Sequence, residues 1–193
     1  KVRHLILPDI TVKDESFIKL EELAHQKNIT VSYISAGDSI RDGVLLITCL
    51  HPLEGYQSAN SNAYSTVLSV RYNKFSMLLT GDVEGDGETM VIKQLKNIHN
   101  QGIDNIDHPV QYHVLKVAHH GSKNSTSQEF LNLINPEISI ISCGKDNRYG
   151  HPHKEALERL NLIGSETKII YETGAITVRT DGEKMEVEGY LNN

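Results

Sequence analysis

The chain has 193 residues, enough for one domain with a buried core, and a formal charge of −6 from 19 Lys and Arg against 25 Asp and Glu. That balance argues against a free-standing basic nucleic-acid binder, which needs excess Lys and Arg for phosphate, but it leaves room for a site where metal ions supply the positive charge. No run reaches the ~18 apolar residues of a membrane-spanning helix, and no signal peptide is visible. Cys49 and Cys143 sit in the apolar runs "LLITCL" and "ISIISCG" and read as buried free thiols, not as a disulfide framework. The start at Lys1-Val2-Arg3 instead of Met suggests a piece of something longer, although a processed terminus would look the same.

In chain order, "HLILP" predicts a short buried strand, and residues 17–27 predict a helix with Ile18, Leu20, Leu23 and Ala24 near helical spacing and Asp14 as N-cap. "ITVSYIS" alternates as a strand, "AGDSIRDG" reads as a turn, and "VLLITCL" is the next strand. "STVLSVRY" and "FSMLLTG", separated by Asn73-Lys74, predict a hairpin. Residues 88–99 are helical by pattern, "NQGIDNIDHP" is a loop, and "YHVLKVA" is a strand. A helix over 127–134 stops before Pro136, "EISIISCG" is a strand, and a helix over 153–162 ends near Gly164. "TKIIYET", "AITVRT" and "KMEVEGY" predict three closing strands, the last two joined by Asp181-Gly182. Strands alternating with helices, then a run of strands, indicate one mixed α/β layered domain.

Ten histidines are many for this length, and six of them (His108, His113, His119, His120, His151 and His153) fall between positions 108 and 153. Three strand-like runs end in candidate ligands: "MLLTGD" at Asp82, "VLKVAHH" at His119 and His120, and "IISCGKDNRYGHPH" soon reaches His151 and His153. Strands leaving one sheet edge bring their ends together. Carboxylate plus imidazole holds Zn²⁺ or Mn²⁺ while leaving a position for water, which then attacks an ester or phosphoester. Each element also has a plain structural reading. Gly81-Asp82 can open a turn, His119-His120 can be a loop with one satisfied histidine, and "DVEGDGE" reads as a solvated helix start with a faint likeness to a calcium loop. Three such clusters at successive strand ends favour the chemical reading. The helix start near Pro152, with Asn147 and Arg148 before it, and the stretch Ser122 to Ser125 both look suited to phosphate oxygens.

"LLTGD", "VLKVAHHGSKNS", "PEISIISCGKDNRYGHPH" and "GAITVRTDG" resemble, in order and spacing, the C-terminal metallo-β-lactamase-like domain of the ComEC family of DNA-internalisation competence proteins. "NAYSTVLSV" is similar to the family's Asn-x-x-Ser segment, and the resemblance runs from about Asn62 to Asp181. It implies an αββα sandwich with a two-metal centre of Zn or Mn and no organic cofactor. The implied task is a nuclease that cuts DNA phosphodiesters, degrading the strand that is not transported, within a polytopic protein of the bacterial membrane. Carried over by position, the metal falls to Asp82, His119 and His120, catalysis to His151, His153 and Ser122, and substrate contact to Asn147, Arg148 and Lys123. Which histidines are ligands and which touch substrate stays open. The chain departs from the family pattern in lacking any His-x-His-x-Asp-His string, so it is expected to be an N-terminally truncated part of the sandwich, inactive alone. An independent soluble hydrolase of the same fold and a non-catalytic DNA- or partner-binding module are the competing readings.

Overall fold

The computed structural model describes residues 1–100 and 111–192. Beyond its first residue, the loop expected in "NQGIDNIDHP", with His108, lies outside the described residues. Strand β1 (His4–Pro8), helix α1 (Glu15–Gln26) and strand β2 (Thr30–Ile34) form a parallel β-α-β unit with its own two-stranded sheet. Asp14 caps α1 as expected, its carboxylate accepting the Phe17 N–H at 2.7 Å. Of the apolar positions that predict this helix, Ala24 is buried while Ile18, Leu20 and Leu23 stay exposed.

A seven-stranded sheet carries the rest: β3 (Ser39–Asp42), β4 (Leu45–His51), β5 (Val67–Tyr72), β6 (Phe75–Leu79), β7 (Val114–Lys116), β8 (Ile138–Ile141) and β9 (Glu166–Ile169), in that spatial order. β3 to β6 pair antiparallel and β6 to β9 pair parallel. β3 corrects the expectation of a turn there. Its residues are all exposed, so no apolar alternation announces it, and Gly43 at φ 58° makes the tight reversal that pairs Asp42 with Leu45.

Helices α2 (Asp86–Asn100), α3 (Gln128–Ile134) and α4 (Lys154–Leu162) join the parallel strands and pack on one face of the sheet. Val91, Leu95, Phe130, Leu131, Ile134 and Leu160 meet Leu78, Leu115 and Ile141 there. The alternate residues Met77, Val114 and Ile140 face the other side, against the hairpin β10 (Ile176–Thr180) and β11 (Met185–Gly189). The middle strands are thus apolar on both faces, which is why they read as continuous apolar runs. The helix–sheet–sheet succession is that of the expected mixed α/β sandwich. "TKIIYET" is not one strand: β9 stops at Ile169, and Ile170–Thr173 make a helical turn closed by Gly174, with Tyr171 turned into the helical-face core. α4 begins at Lys154 with His153 as its N-cap, so Pro152 precedes the cap instead of opening the helix. β4, β6, β7 and β8 all run the same way, and their C-terminal ends share one edge of the sheet.

Candidate functional site

Asp82 follows the end of β6. Gly81 reaches it with φ 55°, and a Cβ there would lie 3.0 Å from the Ser65 Cβ, so the turn requires glycine. The Asp82 N–H donates to Ser65 Oγ at 3.1 Å, which fixes the residue while leaving its carboxylate partly open to solvent. One carboxylate oxygen lies 3.5 Å from Lys116 Nζ and the other 3.5 Å from His120 Nε2. The Lys116 ammonium, from the last residue of β7, also donates to the Gly81 carbonyl at 2.6 Å. Burial pulls the Lys116 pKa down, opposed by the Asp82 carboxylate.

After β7 the backbone turns sharply. His119 (φ 45°, ψ 47°), His120 (φ 57°, ψ 21°) and Gly121 (φ 81°) are all left-handed. Two consecutive non-glycine residues in that region cost of order 1 kcal/mol each, and such outliers gather at functional sites. Gly121 lets the next segment close in, because a Cβ there would sit 2.7 Å from the Pro152 Cβ. The turn aims both rings with defined tautomers. His120 Nδ1 lies 2.5 Å from the Ser142 carbonyl, which can only accept, so Nδ1 carries a hydrogen and Nε2 is the nitrogen that faces Asp82. His119 Nδ1 donates to Glu84 Oε2 at 2.9 Å and likewise leaves Nε2 free. Burial alone would push the Glu84 carboxyl up, but donors from Asn60, His119 and Asn62 outweigh it and hold its pKa below the ordinary value.

His151 and His153 join the same cluster: the His151 ring centre is 5.5 Å from His119, 6.1 Å from His120 and 4.8 Å from His153. Burial first, and then the neighbouring imidazoles, lower the His151 pKa, so it favours the neutral form. His153 Nδ1 accepts the Lys123 N–H at 3.1 Å, which puts the hydrogen of its neutral ring on Nε2. His119 and His120 thus offer lone pairs, whereas His153 offers an N–H.

The remaining predicted residues surround this cluster. Ser122 is buried, and its hydroxyl accepts the Asn124 N–H, so in this structure it shapes the loop. The side-chain amide of Asn147 is spent on the backbone of Gly144, Tyr149 and His151 and organises the turn before Pro152. Arg148 lays its guanidinium 4.6 Å from the Tyr149 ring centre. The Lys123 carbonyl accepts from Arg159, and that guanidinium also holds the carbonyls of Ser125 and Thr126. Cys49 is buried as expected, with its thiol pushed up to about 11, but Cys143 is only partly buried and lines a cavity beside His120 and His151.

Two residues of the site were absent from the predicted set. Lys116 carried one signal, a cation inside an otherwise apolar strand. Glu84 lay in the acidic stretch read as solvated, yet every carboxylate of that stretch beyond Asp82 has a task. Glu84 orients His119, Asp86 accepts from Tyr56 and Ser58, and buried Glu88 accepts the N–H groups of Thr126 and Ser127 ahead of α3.

The donors suit Zn²⁺ or Mn²⁺ in kind. The Asp82 carboxylate and His120 Nε2 face each other at 3.5 Å, and the His119–Glu84 and His120–carbonyl pairs are the outer bonds that ligating histidines normally make. In number they are partial: among the described residues, no group of three His, Cys, Asp or Glu side chains converges to hold an ion.

The chain is 35% identical over 160 residues to ComE operon protein 3 of Bacillus subtilis, an alignment covering 83% of this chain and 19% of that protein. It is 33% identical over 127 residues to Recombination protein 2 of Haemophilus influenzae, covering 66% and 14%, and 33% identical over 109 residues to Competence protein ComA of Neisseria gonorrhoeae, covering 56% and 14%. It therefore spans less than a fifth of the length of these relatives. No family model matches it. Among solved structures, the diiron beta-hydroxylase CmlA of Streptomyces venezuelae aligns over 85% of this chain and 38% of its own, with 11% identity and a TM-score of 0.49, a likeness too partial to assign the fold by itself.

Proposed function

The chain is homologous over most of its length to competence proteins of the ComEC family, and on that premise we propose that it forms part of a metal-assisted phosphodiesterase that cuts DNA. The observation that carries this reading is the tautomer pattern at one sheet edge, where the His120 Nε2 stands 3.5 Å from the Asp82 carboxylate, His119 leaves its own Nε2 open on the same turn, and His153 carries its hydrogen on Nε2. Asp82 and His120 would supply part of the metal's ligand set, with His119 on the same turn as a further donor. When bound, Zn²⁺ or Mn²⁺ supplies a Lewis acid and a water of lowered pKa.

The protein's own residues do the rest. Glu84 and the Ser142 carbonyl keep the two rings from turning and hold a hydrogen on each Nδ1, so that Nε2 is the nitrogen turned to the site. Lys116 steadies the Gly81 carbonyl and balances part of the Asp82 charge. His153 carries a hydrogen on Nε2 with which it can donate a hydrogen bond to a phosphate oxygen, and His151, kept neutral by its surroundings, lies between it and the metal-side rings. Lys123 and Arg148 add positive charge for the DNA backbone.

These 193 residues contain no His-x-His-x-Asp-His string. We place the further ligands elsewhere in a longer membrane-embedded protein, and no helix among the described residues is long and apolar enough to cross a membrane. The partial donor set also supports a second reading, a non-catalytic module that holds DNA. Single-stranded DNA incubated with Mn²⁺ and the longer protein separates the two. Cleavage that disappears in Asp82→Ala supports the nuclease; DNA that is bound but left whole supports the module.

A further inference from the structure

Beside the histidine cluster lies a cavity of about 440 Å³, and we propose that it is a nucleobase slot: one unpaired base of single-stranded DNA lies there against a wall of aromatic rings ending at Tyr149. The proposal rests on the DNA reading above and names which part of the strand the site recognises.

Three of its lining rings, His120, His151 and Tyr149, make successive near-parallel pairs. His120 and His151 are 6.1 Å apart with planes at 23°, and His151 and Tyr149 are 5.7 Å apart, also at 23°. Cys143 and Ile170 add apolar surface, and at Gly144 the space a Cβ would occupy is open. None of the lining residues is Asp, Glu, Lys or Arg. A lining of aromatic and apolar side chains with no Asp, Glu, Lys or Arg suits a flat neutral ring, and the cavity's volume falls in the ordinary range for small-molecule sites.

Tyr149 is 59% exposed, yet it is held in place. The Asn147 side chain accepts its N–H, Arg148 lies over its ring and bonds its hydroxyl, and its ring stacks on His151. A pre-positioned exposed aromatic beside a cation is the platform on which bases of single strands stack. The slot shares His120 and His151 with the candidate phosphate site, so a strand whose phosphate meets that site can place an adjoining base in the cavity. A base paired within a duplex is buried between its neighbours and cannot reach the wall without being extruded. The slot therefore commits the site to single strands.

The test is binding, read by fluorescence anisotropy in chelator, of a labelled single-stranded oligonucleotide and of the same oligonucleotide with its central bases removed. On the intact strand, Tyr149→Ala is expected to weaken binding roughly tenfold, within the range of one lost base–aromatic stack. Tyr149→Phe is expected to bind like the unaltered chain, and the abasic strand to bind the unaltered chain and Tyr149→Ala equally. If Tyr149→Ala loses nothing on the intact strand, or loses as much on the abasic one, the slot is wrong while the DNA reading stands. If the unaltered chain binds neither strand, the DNA reading fails and the slot with it.

Discussion

Strand β7 has histidines near both ends, and they are built for opposite purposes. Near its start, His113 Nδ1 accepts the Ser76 N–H at 3.0 Å and the ring stacks on Phe75 at 5.7 Å, close to the hairpin-side core. Past its end, His119 and His120 give their Nδ1 hydrogens to Glu84 and the Ser142 carbonyl and leave Nε2 open, that of His120 lying 3.5 Å from Asp82. The same side chain becomes a packing element or a candidate ligand according to which nitrogen its neighbour takes. The backbone agrees: only the far end carries consecutive left-handed residues.

The largest break in this contrast is expected from Asp82→Ala in the longer protein, which should abolish bound Mn²⁺ measured by elemental analysis; unchanged stoichiometry would remove Asp82 from the ligand set. Next, Glu84→Ala frees His119 to rotate and should lower metal affinity about 10- to 100-fold by calorimetry. The matched change at the other end, His113→Ala, should leave that affinity alone.

A third, smaller effect concerns stability. His51 is fully buried; its Nε2–H donates to the Ala63 carbonyl at 2.6 Å, and its Nδ1 has no partner. Burial lowers its pKa below 6.5, against the pull of the Ala63 carbonyl and Asp86. Below 6.5 the unfolded chain takes up the proton that the folded chain refuses. Stability is therefore full above that pH and is lost as pH falls toward the folded value, by up to about 1.4 kcal/mol per pH unit. Thermal melts of His51→Phe between pH 7 and 5 should show a shallower loss than the unaltered chain; a parallel loss would clear His51. The smallest effect is the stability cost of His113→Ala, about 1 kcal/mol for the lost Ser76 partner, measured by urea unfolding.

Much of this was legible in the residues. β6, β7 and β8 are apolar on both faces and stand out as continuous runs, and Asp82, His119, His120, His151 and His153 mark the ends or outflow of those strands. β3 was not legible, because an exposed polar strand with no core face has no alternation. Glu84 was not legible either. Its role depends on Asn60 and Asn62, which lie more than twenty residues earlier and meet it only in the folded chain. Nor do residue types reveal tautomers: His113 and His119 differ only in what the fold sets against Nδ1.

That last difference is open to direct measurement. In ¹⁵N-labelled protein at neutral pH without metal, long-range ring correlations report which imidazole nitrogen carries hydrogen. Hydrogen on Nδ1 at His119 and His120, and on Nε2 at His113 and His153, is the predicted result. Hydrogen on Nε2 at His119 and His120 would contradict the assignment of these two rings as metal ligands.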